Sequence, residues 1–147
     1  MLMLVLLVED EPLIREDIRY LLEAAGHEVL VAADGVEAMD TLDCEGARID
    51  ALVTDIKLPC GPDGWRIASR ARVLSPHMLV IYITGAAEHE WGLQAVNSGR
   101  MLQKPFGSHQ VVAALAELQA AWASLMQRRR LKTRTPHGWR WSAYAPG

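Results

Sequence analysis

The chain has 147 residues, half of them hydrophobic and 22% charged, with a formal net charge of −3, which is the length and apolar content of one ordinary domain. No apolar run approaches the ~20 residues of a membrane span, and the first, residues 1–8, lacks a basic start and stops at Glu9-Asp10-Glu11, so neither a spanning helix nor a secretory signal is expected. Cys44 and Cys60 match no disulfide framework and no CxxC clamp, which fits a reducing, cytoplasmic setting.

Residues 2–8 form a continuous apolar run, as expected of a strand covered on both faces in a parallel sheet. Pro12 suits a first helical turn, Ile14, Ile18, Leu21 and Leu22 recur at helical spacing, and Gly26 supplies a stop. Residues 28–32 read as a second strand, and Asp34-Gly35 turns into a helix carrying Val36, Met39 and Leu42 on one face. A third strand is predicted over 49–54, ending at Asp55. Turn formers fill Leu58-Pro59-Cys60-Gly61-Pro62-Asp63-Gly64 before a helix through Trp65, Ile67, Ala68, Ala71 and Leu74. Residues 79–84 give a fourth strand, 88–96 a weak helix and 101–104 a short fifth strand. Ser108 caps a last helix with Val111, Leu115, Leu118, Trp122 and Leu125 in progression.

Five strands alternating with five helices imply right-handed crossovers and an α/β fold with one doubly wound, five-stranded parallel sheet. The charge is uneven along it. Residues 1–117 hold all eighteen acidic and nine of the fifteen basic residues, a balance of −9, and the other six bases, Arg128 to Arg140, give the remainder +6. A domain over 1–122 is expected, followed over 123–147 by the end of the last helix and a flexible tail that is basic and aromatic (Trp139, Trp141, Tyr144).

Ligands of such sheets bind outside the carboxyl ends of the strands, and polar groups stand at four of those ends: Glu9/Asp10, Asp55, Thr84 and Lys104. Carboxylates converging there repel by roughly 4 kcal/mol per unit-charge pair ~4 Å apart at an effective dielectric near 20. They call for a cation, and an incomplete shell of oxygen ligands suits Mg²⁺. A carboxylate, a divalent ion, a hydroxyl and an ammonium around one cleft make a phosphoryl-transfer site, with Asp55 as nucleophile and Thr84 and Lys104 taking charge from the phosphoryl oxygens.

These residues resemble a known family, the receiver domain of two-component response regulators, or CheY-like domain, over residues 3 to about 120. Val8-Glu9-Asp10-Glu11-Pro12 is similar to its acidic pair, Thr54-Asp55-Ile56-Lys57-Leu58-Pro59 to its phosphoacceptor segment, Ile83-Thr84-Gly85 to its hydroxyl switch, and Gln103-Lys104-Pro105-Phe106 to its lysine motif. The resemblance implies a flavodoxin-like (βα)5 fold, with Mg²⁺ held by Glu9, Asp10, Asp55 and the backbone carbonyl of Lys57. It also implies a phosphoryl group received on Asp55 from a sensor histidine kinase or histidine phosphotransfer protein, and a cis bond before Pro105. Three departures stand out. Pro59 and Gly64 are spaced one residue wider than the family's usual pattern, Met101 stands where an aromatic usually lies three residues before the lysine, and the stretch from Thr84 to Lys104 is short.

The expectation is a stand-alone cytoplasmic regulator, not an enzyme in its own right, which assists its own phosphorylation and dephosphorylation. Its output is a partner or a homodimer gathered on the face of the last two strand-helix units. Alternatives from other classes are a phosphorelay intermediate or phosphate sink, a degenerate receiver serving as a constitutive binding module, and a DNA-binding regulator acting through the basic tail; nucleic acid is disfavoured because no DNA module is recognisable. A dehalogenase-like phosphatase would need a second aspartate where Lys57 stands. Singly, Asp55 is compatible with a turn acid, Glu9 and Asp10 with favourable charges at a helix start, Lys57 with a solvated lysine, and the five histidines show no ligand spacing.

Overall fold

The computed structural model describes residues 2–85 and 99–144, with side chains described through Lys132. Three apolar pentamers or hexamers dominate it. β1 (Leu4–Val8), β3 (Ala51–Asp55) and β4 (Leu79–Thr84) are buried at every position, whereas β2 (Glu28–Ala32) and β5 (Gly99–Gln103) are only partly covered. The burial follows from the order β2-β1-β3-β4-β5, all neighbours parallel, which puts the apolar runs in the middle and the mixed ones at the edges. The order turns back between β1 and β3, so the crevice beyond Val8 and Asp55 is the switch point at which such sheets bind ligands.

Strand alternation sorts the core. Leu4, Leu6, Val8, Leu52, Val80 and Tyr82 share one cluster with Ala38 and Leu42 of α2 (Gly35–Glu45) and Ile67, Ala68 and Ala71 of α3 (Gly64–Leu74). Residues of opposite parity, Val5, Leu7, Val53, Ile81 and Ile83, are buried as well, as are Ile18 and Leu22 of α1 (Pro12–Ala24) and Val111, Ala114 and Leu115 at the start of α4 (Ser108–Tyr144).

Local chemistry sets the boundaries. Pro12 opens α1, and Gly26 closes it at φ 97°, a left-handed conformation that suits glycine. Asp34 caps α2 by accepting from the Glu37 N–H (2.9 Å), and Asp63 caps α3 by accepting from Arg66 N–H (3.0 Å). The second cap makes Gly64 the first helical residue, where the sequence reading left it in the loop. β5 starts at Gly99 rather than 101 because a Cβ there would lie 2.8 Å from Cε2 of Tyr82 on the paired strand, so glycine lets the edge strand approach that ring. The helix predicted over 88–96 lies outside the described residues.

The chain divides into two compact units, Met1–Leu115 and Ala116–Gly147. In the second, α4 runs to Tyr144 where a flexible tail was expected. No glycine or proline occurs between Ser108 and Thr135, and Ala, Leu, Gln, Arg and Lys predominate, so helix propensity is sustained well past Leu125. Among the described residues no helix is long and apolar enough to cross a membrane.

Candidate functional site

Each polar side chain at the carboxyl edge is fixed by the strand that precedes it. Glu9 extends the β1 ladder by one bond, its N–H donating to Ala32 O (3.1 Å), and its side chain is fully buried. One carboxylate oxygen, Oε2, accepts from the Glu11 N–H (3.1 Å), while Arg15 Nη1 donates to the Glu9 carbonyl (3.0 Å). Asp10, next in the chain, is exposed. Asp55 ends β3 at 3% exposure, in register with Ile83, and Thr84 ends β4 at 7%. Lys104 is carried one residue past β5 by its N–H, which donates to Thr84 O (2.7 Å), and it is joined to Pro105 by a cis bond.

These ladders bring together what the sequence held apart. Carboxylate oxygens of Glu9, Asp10 and Asp55 lie within 4.8 Å of one another, and Lys104 Nζ stands 3.3 Å from Asp55 Oδ1 and 3.5 Å from Glu9 Oε1. Three carboxylates against one ammonium leave the cluster short of positive charge. Glu9 Oε1 and both Asp55 oxygens are buried without a hydrogen bond, a costly state for acceptors in a native interior. The electrostatics follow. Burial, then the neighbouring Glu9 and Asp10 carboxyls, push the Asp55 pKa up to about 9 against the pull of Lys104. For Asp10 burial is the largest single influence and acts upward, but its hydrogen bonds with Asp55, Glu9 and the backbone, together with the charge of Lys104, outweigh it and hold the carboxyl below the ordinary range. For Lys104 burial acts downward, but Asp55 and Glu9 outweigh it and hold the ammonium charged. Orphaned, oxygen-only donors around excess negative charge fit a hard divalent cation.

A cleft of ≈ 260 Å³ opens beside this cluster, lined by Asp55, Lys57, Ile83, Thr84, Gly85 and Lys104. The sequence-predicted residues Glu9, Asp10, Asp55, Lys57, Thr84 and Lys104 therefore converge on one place, with Pro105 adjoining Lys104. Met101 does not join them. It is partly buried against the core cluster, paired in register with Tyr82. Tyr82 in turn meets Trp65 of α3 with ring centroids 4.6 Å apart and planes tilted by 44°. The sequence puts Trp65 in the helix after the turn but does not disclose this pairing, since ring-to-ring contact between α3 and β4 leaves no spacing signal. It also missed Gly64, whose N–H donates to Ile56 O (2.7 Å) and whose Cα sits so close to the Asp55 backbone that a Cβ would collide with the Asp55 carbonyl.

Known proteins resemble this chain in sequence and fold. The curated relatives include the sensor kinase CckA of Brucella abortus, 33% identical over 78% of this chain, and the response regulator MprA of Mycobacterium avium, 33% identical over 86%. The chain spans 12% of the former and 52% of the latter. Among solved structures it is similar to a response regulator receiver protein of Sinorhizobium medicae WSM419 (38% identity, TM-score 0.76, covering 81% of this chain and 95% of that one) and to the receiver domain of the hybrid histidine kinase CckA (30%, TM-score 0.67, covering 78% and 97%). The family model for the response regulator receiver domain matches residues 5–116 and so takes in every strand-end group described above. This chain belongs to that family, the phosphorylation-dependent signalling modules of two-component systems.

Proposed function

We propose that Asp55 accepts a phosphoryl group from a phosphohistidine of a sensor histidine kinase or histidine phosphotransfer protein, with Mg²⁺ as cofactor, and that the resulting acyl phosphate switches an output surface before it is hydrolysed. The observation that carries the reading is the Asp55 carboxylate, buried with two orphaned oxygens, 3.3 Å from Lys104 Nζ and facing the cleft that Thr84 lines. Glu9, Asp10, Asp55 and the Lys57 carbonyl are the residues that would hold Mg²⁺, and the ion supplies charge neutralisation for the acidic cluster and the phosphoryl oxygens.

The chain's own residues account for the transfer. An Asp55 carboxylate oxygen attacks phosphorus, the P–N bond to the donor imidazole breaks, and the electron pair leaves with that imidazole; Asp55 keeps its proton in the metal-free cluster, would be ionised once a divalent cation offsets Glu9 and Asp10, and then needs no base. Lys104, already paired with Asp55, shifts its ammonium to the phosphoryl oxygens, and Thr84 offers its hydroxyl to them. Because Lys104 N–H is bonded to Thr84 O, a pull on Thr84 is transmitted to β5 and the first turns of α4, the surface assigned to partner binding or dimerisation. Met101 follows by repacking a flexible thioether, not by swinging a ring. Water attack on the acyl phosphate resets the module, so it regulates rather than turning over a substrate, and it acts in the cytoplasm alongside its donor.

The test is incubation of wild type and Asp55→Asn with Mg²⁺ and acetyl phosphate, read by intact mass, with sizing in beryllofluoride alongside. A gain of ~80 Da in wild type alone, dependent on Mg²⁺, is the expected result. Absence of that gain with acetyl phosphate and with a kinase, together with absent Mg²⁺ binding, would leave a constitutive binding module instead.

A further inference from the structure

The loop between β3 and α3 carries Lys57 and is one residue longer between Pro59 and Gly64 than the family pattern. Its base is closed where Gly64 N–H donates to Ile56 O (2.7 Å). Its far end rests on the start of α2, where Gly35 N–H donates to Cys60 O (2.9 Å). Gly35 and the loop touch backbone to backbone: a Cβ on Gly35 would collide with the Pro62 carbonyl and lie 2.8 Å from Pro62 N and 3.0 Å from Cys60 O. Gly61, at φ 79°, is seated on Val36, where a Cβ would come within 2.8 Å of Val36 Cγ2 and 2.9 Å of Val36 N. None of these neighbours except the Val36 methyl is the end of a side chain that could turn aside.

Glycine is a poor helix former, yet α2 begins with one. The position is kept open by the loop that crosses it. We infer that Gly35, together with Val36 on which Gly61 is seated, is a positioning residue for the metal ligand of this site: it clamps the lengthened loop at Cys60–Pro62 so that the short run from Ile56 to Pro59 has one conformation and presents the Lys57 carbonyl to the acidic cluster. The clamp acts through the loop and touches neither the phosphoryl group nor the ion. The inference rests on the proposed Mg²⁺ site and adds to it a control point on a different helix.

The experiment is calorimetric titration of Mg²⁺ alone into wild type, Gly35→Ala, Val36→Ala and Gly26→Ala, each with its melting temperature. Gly26 also has positive φ but nothing within 4 Å of an added Cβ, so Gly26→Ala lowers stability without touching the loop. Expected is a loss of about tenfold in Mg²⁺ affinity for Gly35→Ala, the lower end of what displaced outer-shell partners cost, and a smaller loss for Val36→Ala, which is half exposed and leaves the fold intact. Gly26→Ala should bind as wild type does despite its lower melting temperature. Deleting Gly61 to restore the family's loop length should make Gly35→Ala harmless. Unchanged affinity in Gly35→Ala and Val36→Ala, or an equal loss in Gly26→Ala, overturns the inference while leaving the metal site standing; no Mg²⁺ binding by wild type sinks both.

Discussion

The two ends of the sheet are built from similar residues to opposite purpose. At the amino end, Asp50 Oδ2 accepts from the Leu4 N–H (2.8 Å) and His27 Nδ1 accepts from the Met3 N–H (3.1 Å), while Leu4 O and Met3 O accept from Asp50 and Glu28. Polar side chains there complete the backbone's hydrogen bonding. At the carboxyl end, Glu9 Oε1 and both Asp55 oxygens are buried and orphaned. One end spends its acids on the fold, and the other leaves buried carboxylate oxygens without hydrogen bonds.

Substitution at the two ends should therefore have opposite signs. Asp55→Asn should abolish phosphorylation outright by intact mass, yet raise the metal-free melting temperature, by roughly 2–8 °C on the scale that one kcal/mol moves domains of this size, because it removes a carboxylate crowded by Glu9 and Asp10. A lower melting temperature in the absence of metal would erase the contrast. Lys104→Ala should slow acceptance from acetyl phosphate by about a hundredfold, the usual cost of one charge-stabilising donor, and should do so at saturating Mg²⁺; an unchanged rate would place the ammonium outside the reaction.

The pH dependence sharpens the same comparison. Asp55 has a folded pKa of about 9 against 3.8 for an ordinary aspartate, so the folded protein keeps a proton that the unfolded chain releases. Stability from this group is full below the unfolded value and drains away as pH rises toward 9. With chelator present, wild type should lose melting temperature relative to Asp55→Asn between about pH 5 and pH 8, and saturating Mg²⁺ should close the gap. A gap that stays constant with pH would show that the carboxyl is ionised throughout.

Smaller effects belong to the amino end. Asp50→Ala removes the acceptor of Leu4 N–H and should cost ~1–2 kcal/mol in denaturant unfolding, with the phosphorylation rate unchanged. His27 is held below its usual pKa of 6.5, by burial and then by the N-terminal charge, and its neutral ring accepts from Met3. A depressed folded pKa means that the contribution is present above 6.5 and lost as pH falls. The stability difference between wild type and His27→Ala should be ~1 kcal/mol near pH 7.5 and shrink below pH 6; a difference that grows on acidification would refute the assignment of Nδ1 as acceptor.

The sequence disclosed the strands and the carboxyl-end side chains for one reason: β1, β3 and β4 are buried on both faces, so apolar runs mark them, and a charged residue directly after such a run has only the strand end to occupy. Residues 79–84 were predicted to the residue. Features that depend on backbone meeting backbone were hidden. Gly35, Gly61 and Gly64 read alike as turn formers, and only their neighbours separate a turn from a clamp. Helical continuation past Leu125 was missed because charge composition suggested a tail, although Arg, Lys, Leu and Gln are all good helix formers. The Asp63 cap went unrecognised and α3 starts at Gly64, one residue earlier than expected, because Pro62-Asp63-Gly64 is as good a turn as a helix start.

The Trp65–Tyr82 pair has an optical consequence. At a centroid separation of 4.6 Å, energy absorbed by the phenol of Tyr82 passes to the indole of Trp65, so tyrosine excitation is read out as tryptophan emission. The donor lies two residues before Thr84 on β4, and the acceptor one residue after Gly64, which packs on the Asp55 backbone. The protein thus carries a native fluorophore couple spanning α3, which packs on the Asp55 backbone at Gly64, and β4, which pairs with β3 in register with Asp55.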